Sequence, residues 1–189
     1  MLAELRAATA AAHAELDRGL DLLAESVALE RYIAFLQGSL GALEPLENSL
    51  GVTPAPEAVP YRARTPRLRQ DLTALGVNAR VDASAASIPL ASVAAACGAR
   101  YVIEGSALGG AVLARGLGVT LQLDARALGY LTLYGDGLSE HWRAFVAELE
   151  RWGKSATLEM RAEACDTARA VFATYRAAFE RAGALANHR

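Results

Sequence analysis

Leu5, Thr9, Ala12, Leu16, Leu20 and Leu23 fall at steps of three and four along the chain. They place one apolar stripe on residues 2–24 and predict an amphipathic helix. The same spacing returns over residues 28–50 through Tyr32, Phe35, Leu36, Leu40, Leu43, Leu46 and Leu50. Pro45 should kink that helix or end its regular part, because proline removes a backbone donor and crowds the preceding turn. "GVTPAPEAVPYRARTP" carries four prolines and reads as a loop crossing the surface. A short helix is expected at about 66–75, followed by "GVNARVDASAAS" as a second connection. Residues 87–104 read as helix leading into a glycine-rich stretch. Residues 123–134 are also expected to be helical: "LTLY" alone would pass for a strand, but no second strand is available to pair with it. Helices over 139–152, with Ser139 as cap, and over 156–182 complete the set. The fold class is all-α.

Composition narrows the picture. A chain of 189 residues, 53% hydrophobic and 21% charged, suits a single domain (1–189) with a sizeable core. A net charge of -2 gives no footprint for nucleic acid or an anionic membrane. The first residues carry charges throughout and lack the apolar centre of a signal peptide. No uncharged run is long enough to span a bilayer, so the expected location is the cytoplasm. Cys97 and Cys165 read as buried reduced thiols.

Candidate chemistry is sparse. Of three histidines, His188 is next to the terminus, where fraying is expected, and His141 reads as a surface residue at a helix start. His13 lies mid-helix among Ala10, Ala11, Ala12 and Ala14, with Thr9, Leu16 and Leu20 on its face. It is either an ordinary helix histidine or a lone axial ligand to a metal whose other ligands belong to a cofactor, of which haem is the obvious case. No second His or Cys stands at metal-ligand spacing. The stretch "YVIEGSALGGAVLARG" sets Gly105, Gly109 and Gly110 inside a helix. Those three cost about 3 kcal/mol of helix propensity relative to alanine. Gly105 and Gly109 share a face, which admits either a closely packed helix or a wide, flat ligand. A phosphate loop does not fit, since "GSALGG" lacks the Lys-Ser/Thr pair.

At this point the sequence resembles a family. "LRAATAAAHAELD" (Leu5–Asp17) is similar to the proximal helix of haem oxygenases, and "FLQGSLGALEPLE" (Phe35–Glu47) to their second helix. "YVIEGSALGGAVL" (Tyr101–Leu113) resembles the bacterial form of their distal helix. "TLEM" (Thr157–Met160) and the spacing of Phe172 and Phe179 resemble the last helices. The resemblance implies an all-helical bundle with haem between the first helix and a kinked, glycine-rich distal helix.

It further implies that His13 is the proximal iron ligand and that Gly105, Ser106, Gly109 and Gly110 line the oxygen side. Haem would be cofactor and substrate at once, oxidised at a meso carbon to biliverdin, carbon monoxide and ferrous iron. Dioxygen and an external reductant such as ferredoxin would be needed, because the chain has no flavin or nicotinamide motif. The product could pass to a phytochrome-type photoreceptor or serve iron release. Ser106 stands where animal-type members carry a carboxylate, and Ala10 where a basic residue is common. A propionate-binding arginine of some relatives falls at Trp152, with Arg151 and Lys154 beside it. The propionate partners implied are therefore Arg6 and Lys154, with Tyr101, Phe172 and Tyr175 against the ring, and the biliverdin isomer stays open. A haem carrier or sensor without turnover is the alternative, and a relative binding another small molecule on the same scaffold is a third reading.

Overall fold

The computed structural model describes residues 1–52, 59–79 and 88–186, and His188 lies outside them. Six α-helices carry the described chain: α1 (Leu2–Leu20), α2 (Leu29–Leu50), α3 (Thr65–Ala74), α4 (Val93–Thr120), α5 (Leu138–Ser155) and α6 (Leu158–Ala182). No strand occurs among the described residues.

The alanines of α1 favour helix, and its stripe of Leu5, Thr9 and Leu20 is buried. The helix stops short of Ala24, the expected end, because Asp21 turns left-handed (φ 42°, ψ 43°) while its N–H still bonds the Asp17 carbonyl. Helix α2 buries Tyr32, Phe35, Leu36, Leu40, Leu43 and Leu46, and it continues through Pro45 to Leu50. A helix-interior proline costs about 3 kcal/mol. Each fully buried leucine contributes roughly 1.5–3 kcal/mol, and Leu40, Leu43 and Leu46 have no exposed surface. Burial wins, and the proline does not end the helix.

Helix α4 begins after Ser92, later than expected, and the Ser92 Oγ accepts the Ala95 N–H at 3.0 Å. It runs unbroken through every glycine of the distal stretch. By length and composition α4 could cross a membrane. Here it is a core helix packed on α6, with Arg100 and Glu104 buried in it. The α4–α6 crossing depends on Gly98, where a Cβ would stand 2.1 Å from the Ala164 carbonyl oxygen. Helix α6 also packs on α1 and α2, so the last helix joins the first, second and fourth.

Residues 123–134 are not an α-helix, contrary to the sequence expectation. A 3₁₀ turn spans Ala125–Ala127, turns follow, and a second 3₁₀ turn spans Gly135–Gly137 before α5. The Asp124 carboxylate accepts the Arg126 N–H at 2.7 Å, and the Tyr32 hydroxyl donates to the Ala127 carbonyl at 2.7 Å. Asp71 accepts the N–H groups of Gly129 and Tyr130. Distant side chains thus take backbone groups that a helix would pair internally. Nor does Ser139 cap α5: Gly137 holds that position, and no side chain caps the helix.

Candidate functional site

Helix α1 brings His13, Leu16 and Leu20 to one side of a cavity of about 310 Å³, and α4 brings Tyr101, Gly105, Ser106, Gly109 and Gly110 to another. Phe35 and Ser39 of α2, the Tyr130–Leu131 turn, Trp142 of α5 and Phe172, Tyr175 and Phe179 of α6 complete its walls. His13, Arg6, Leu108 and Gly109 are exposed, so the cavity opens to solvent at this edge. Every site residue expected from sequence lines it except Lys154, which is exposed at the end of α5 and outside the lining. The cationic residues of the lining are Arg6 at the rim and Arg64 inside.

The His13 side chain is 63% exposed, with its Nδ1 3.0 Å from an Asp17 carboxylate oxygen. A carboxylate at Nδ1 favours the tautomer with its proton there, leaving the Nε2 lone pair for a metal. Phe172 meets the imidazole edge-on with ring centroids 5.9 Å apart. That contact and the Asp17 carboxylate together orient a ring on an exposed helix face.

The glycines divide between the two readings their spacing allowed. A Cβ on Gly109 would meet nothing within 4 Å, so its missing side chain leaves open cavity. Gly105 faces the Trp142 ring at ordinary contact distance, 3.7 Å. Gly110 packs tightly, its Cβ position lying 3.3 Å from the Leu131 carbonyl oxygen. Ser106 turns its hydroxyl back on the helix and donates to the Ile103 carbonyl at 2.8 Å.

Behind this face lies a buried charge cluster. Glu104, 1% exposed, accepts from Arg64 at 2.8 Å and from the Tyr134 hydroxyl at 2.8 Å. His141 Nε2 stands 3.1 Å from the same carboxylate, and the imidazole stacks on Tyr134 with centroids 4.0 Å apart. His141 is therefore not the surface residue expected, since its neighbours in sequence could not show that Glu104 awaits it. Burial works against the Arg64 charge, but Glu104 and the surrounding tyrosines outweigh it and hold the guanidinium protonated.

Hydroxyl groups cluster on the cavity's inner side. Burial raises Tyr130 and Tyr175 above the ordinary phenol range, so both are neutral donors. The Tyr175 hydroxyl and Ser39 Oγ are buried beside the Tyr130 hydroxyl, but neither makes a well-formed hydrogen bond with it. Such atoms need a ligand or water. Cys97 is a buried free thiol, as expected, and its burial pushes it up to about 12; Cys165 is also free but only half-buried.

An open slot beside one histidine, floored by glycine and walled by aromatic rings, fits a flat apolar ring system carrying a metal. The buried unpartnered hydroxyls fit a polar group or water above it. The comparisons with known proteins agree. The sequence model of the heme oxygenase family matches residues 1–181. This chain belongs to the haem oxygenase family. It is 46% identical over 115 residues to the heme oxygenase of Xanthomonas campestris pv. campestris (strain 8004). That stretch is 61% of this chain and 66% of the relative, just under two thirds of its length. In structure it is similar to the NO- and CO-bound heme oxygenase from Neisseria meningitidis. That likeness has a TM-score of 0.80 at 29% identity and covers 100% of this chain and 94% of the other. The all-helical class read from sequence is that family's fold.

Several residues lining this cavity escaped the sequence. Arg64 sits within the proline-rich stretch read as a surface loop, and Ser39 looks like any small helix residue. Tyr130 and Leu131 lay in a segment read as helix. The one available signal was Trp142, an aromatic beside His141, though nothing in sequence points it at Gly105.

Proposed function

We propose that this chain degrades haem, opening the ring at a meso carbon to biliverdin, carbon monoxide and ferrous iron with dioxygen and an external electron donor. The observation that carries the proposal is the single cavity with His13 on one helix and Gly105, Ser106, Gly109 and Gly110 on another. Bound haem would supply both the iron that activates dioxygen and the carbon that is oxidised.

His13 would ligate the iron through Nε2, its orientation held by Asp17 and Phe172. Gly109, where a side chain would meet nothing, would leave room in the cavity for a small gas molecule. Phe35, Phe179 and Leu113 would give the ring apolar contact and keep water from it. With no carboxylate at position 106, the hydroxyls of Tyr130, Tyr175, Ser39 and Ser106 would hold water near the reacting face and supply protons through it. Arg6 at the solvent edge would pair with a propionate, whereas Lys154, the other partner expected from the sequence, lies outside the lining. We further read the chain as one domain, because one contiguous core draws on all the helices. We read it as a cytoplasmic protein taking electrons from a ferredoxin-like donor, with hand-off of biliverdin to a phytochrome as one destination.

The test is a haemin titration followed by ascorbate, or ferredoxin with its reductase, in air. A saturating Soret band near one equivalent, then replaced by biliverdin absorbance, is expected. A bound haem spectrum that persists under reduction would sink the oxygenase and leave a carrier. No Soret change would remove haem from the account.

A further inference from the structure

We propose that Asp71, which lies outside the cavity, is a positioning residue for it. Its carboxylate holds the backbone of Gly129 and Tyr130 so that Tyr130 and Leu131 form the wall beside Gly110. The proposal deepens the haem reading of the same cavity and rests on it for its effect on a bound ligand.

Asp71 is 1% exposed on α3. Its Oδ1 accepts the Gly129 N–H at 3.1 Å and its Oδ2 the Tyr130 N–H at 2.8 Å, so both oxygens serve one short segment. Such charge-assisted bonds are stronger than neutral ones. The segment needs them, because it has no helix of its own. A second tether nearby is the Tyr32 hydroxyl on the Ala127 carbonyl. Gly129 is built for the approach: a Cβ there would stand 2.9 Å from Asp71 Oδ1.

Two consequences reach the cavity. The Tyr130 side chain enters it beside Ser39, Ser106 and Tyr175. Leu131 and Ala107 also line a second cavity of about 300 Å³, so the tethered segment is part of the partition between the two. Without the tether, Tyr130 loses its fixed direction and the partition its backbone anchor.

The experiment compares wild type with Asp71→Ala, Gly129→Ala and Tyr130→Phe. Gly129→Ala keeps the carboxylate but forces the segment off it, which guards against a misfolded Asp71→Ala. In the haem-free full chain, amide hydrogen exchange at Tyr130 is read relative to Val171 in the core of α6. The tether predicts a rise on the order of tenfold in Asp71→Ala and in Gly129→Ala. In the ferrous carbon monoxide complex, the C–O stretching frequency reports polar groups near the bound gas. It should shift in Tyr130→Phe and shift likewise in Asp71→Ala, which a purely structural loss would not produce. Unchanged relative exchange overturns the proposal. So does a stretch that follows Tyr130→Phe but ignores Asp71→Ala, or one insensitive to both. A wild type that forms no haem complex would instead remove the haem reading, and the exchange measurement would still decide the tether.

Discussion

A methyl group added at Gly98 and one added at Gly109 should have opposite effects, though both glycines stand on α4. At Gly98 the methyl would drive into the Ala164 carbonyl, so Gly98→Ala must separate α4 from α6. Overpacking of this kind costs about 1–3 kcal/mol or more, seen as a lowered unfolding temperature. At Gly109 the methyl meets nothing, so Gly109→Ala should gain up to about 1 kcal/mol of helix stability. The same variant should bind haemin more weakly or turn it over more slowly, because the methyl projects into the cavity. His13→Ala is expected to abolish the Soret band of the histidine-ligated complex in a haemin titration. An exposed side chain on an alanine-rich helix carries little of the fold, so the unfolding free energy should move by no more than about 0.5 kcal/mol. His13 and the distal glycines were legible through the family resemblance carried by their motifs, since their local chemistry admitted an ordinary helix reading as well. Arg64, Tyr130 and His141 were not, because their partners come from elsewhere in the chain.

Among the elements, the Glu104 cluster joins more of the chain than any single helix contact suggests. It ties the residue preceding α3, the core of α4, the turn at Tyr134 and the first turn of α5 to one carboxylate. Glu104→Ala would leave the Arg64 guanidinium buried without its counter-charge. Breaking one side of such a pair costs about 3–5 kcal/mol, measurable by urea unfolding at neutral pH. All six helices were expected from the sequence, α1 and α2 from their apolar spacing, and only α4 starts well away from its expected bound. The segment 123–134 did not follow, since Asp71 and Tyr32 captured its backbone. Its local sequence is compatible with helix, and only partners brought in by α2 and α3 decide otherwise.

For the whole molecule, the proton balance of folding carries a mark of this arrangement. Burial raises Asp71 from 3.8 to about 6, despite the two N–H groups that favour its charge. Arg67, on the same helix, opposes the rise. Tyr32 of α2 is raised first by its own burial and then by the Asp71 charge across the interface. Between pH 3.8 and about 6 the native state holds a proton at Asp71 that the unfolded chain has released. Stability from this group is therefore present below the unfolded value and lost as pH rises through about 6. The loss is at most about 3 kcal/mol. Asp71→Asn should flatten that part of the slope in urea unfolding measured from about pH 4 to pH 7. On the proposed haem reading, haem should raise the unfolding temperature with the logarithm of its free concentration, because a ligand of the folded cavity alone stabilises by mass action.

The sequence by itself determined the all-α class and the order of the six helices, and its family resemblance pointed to the faces of α1 and α4 that meet. Helix periodicity, alanine content and the placement of His13 and the glycines are properties of short stretches, and physics at that range needs no partner. Only the tertiary structure decided which glycine opens the cavity and which merely packs. It also decided that Lys154 stands apart, that His141 is half-buried on Glu104, and that Asp71 sets the wall. Those facts depend on which distant side chain reaches a backbone group or a charge first, and that competition is settled by packing.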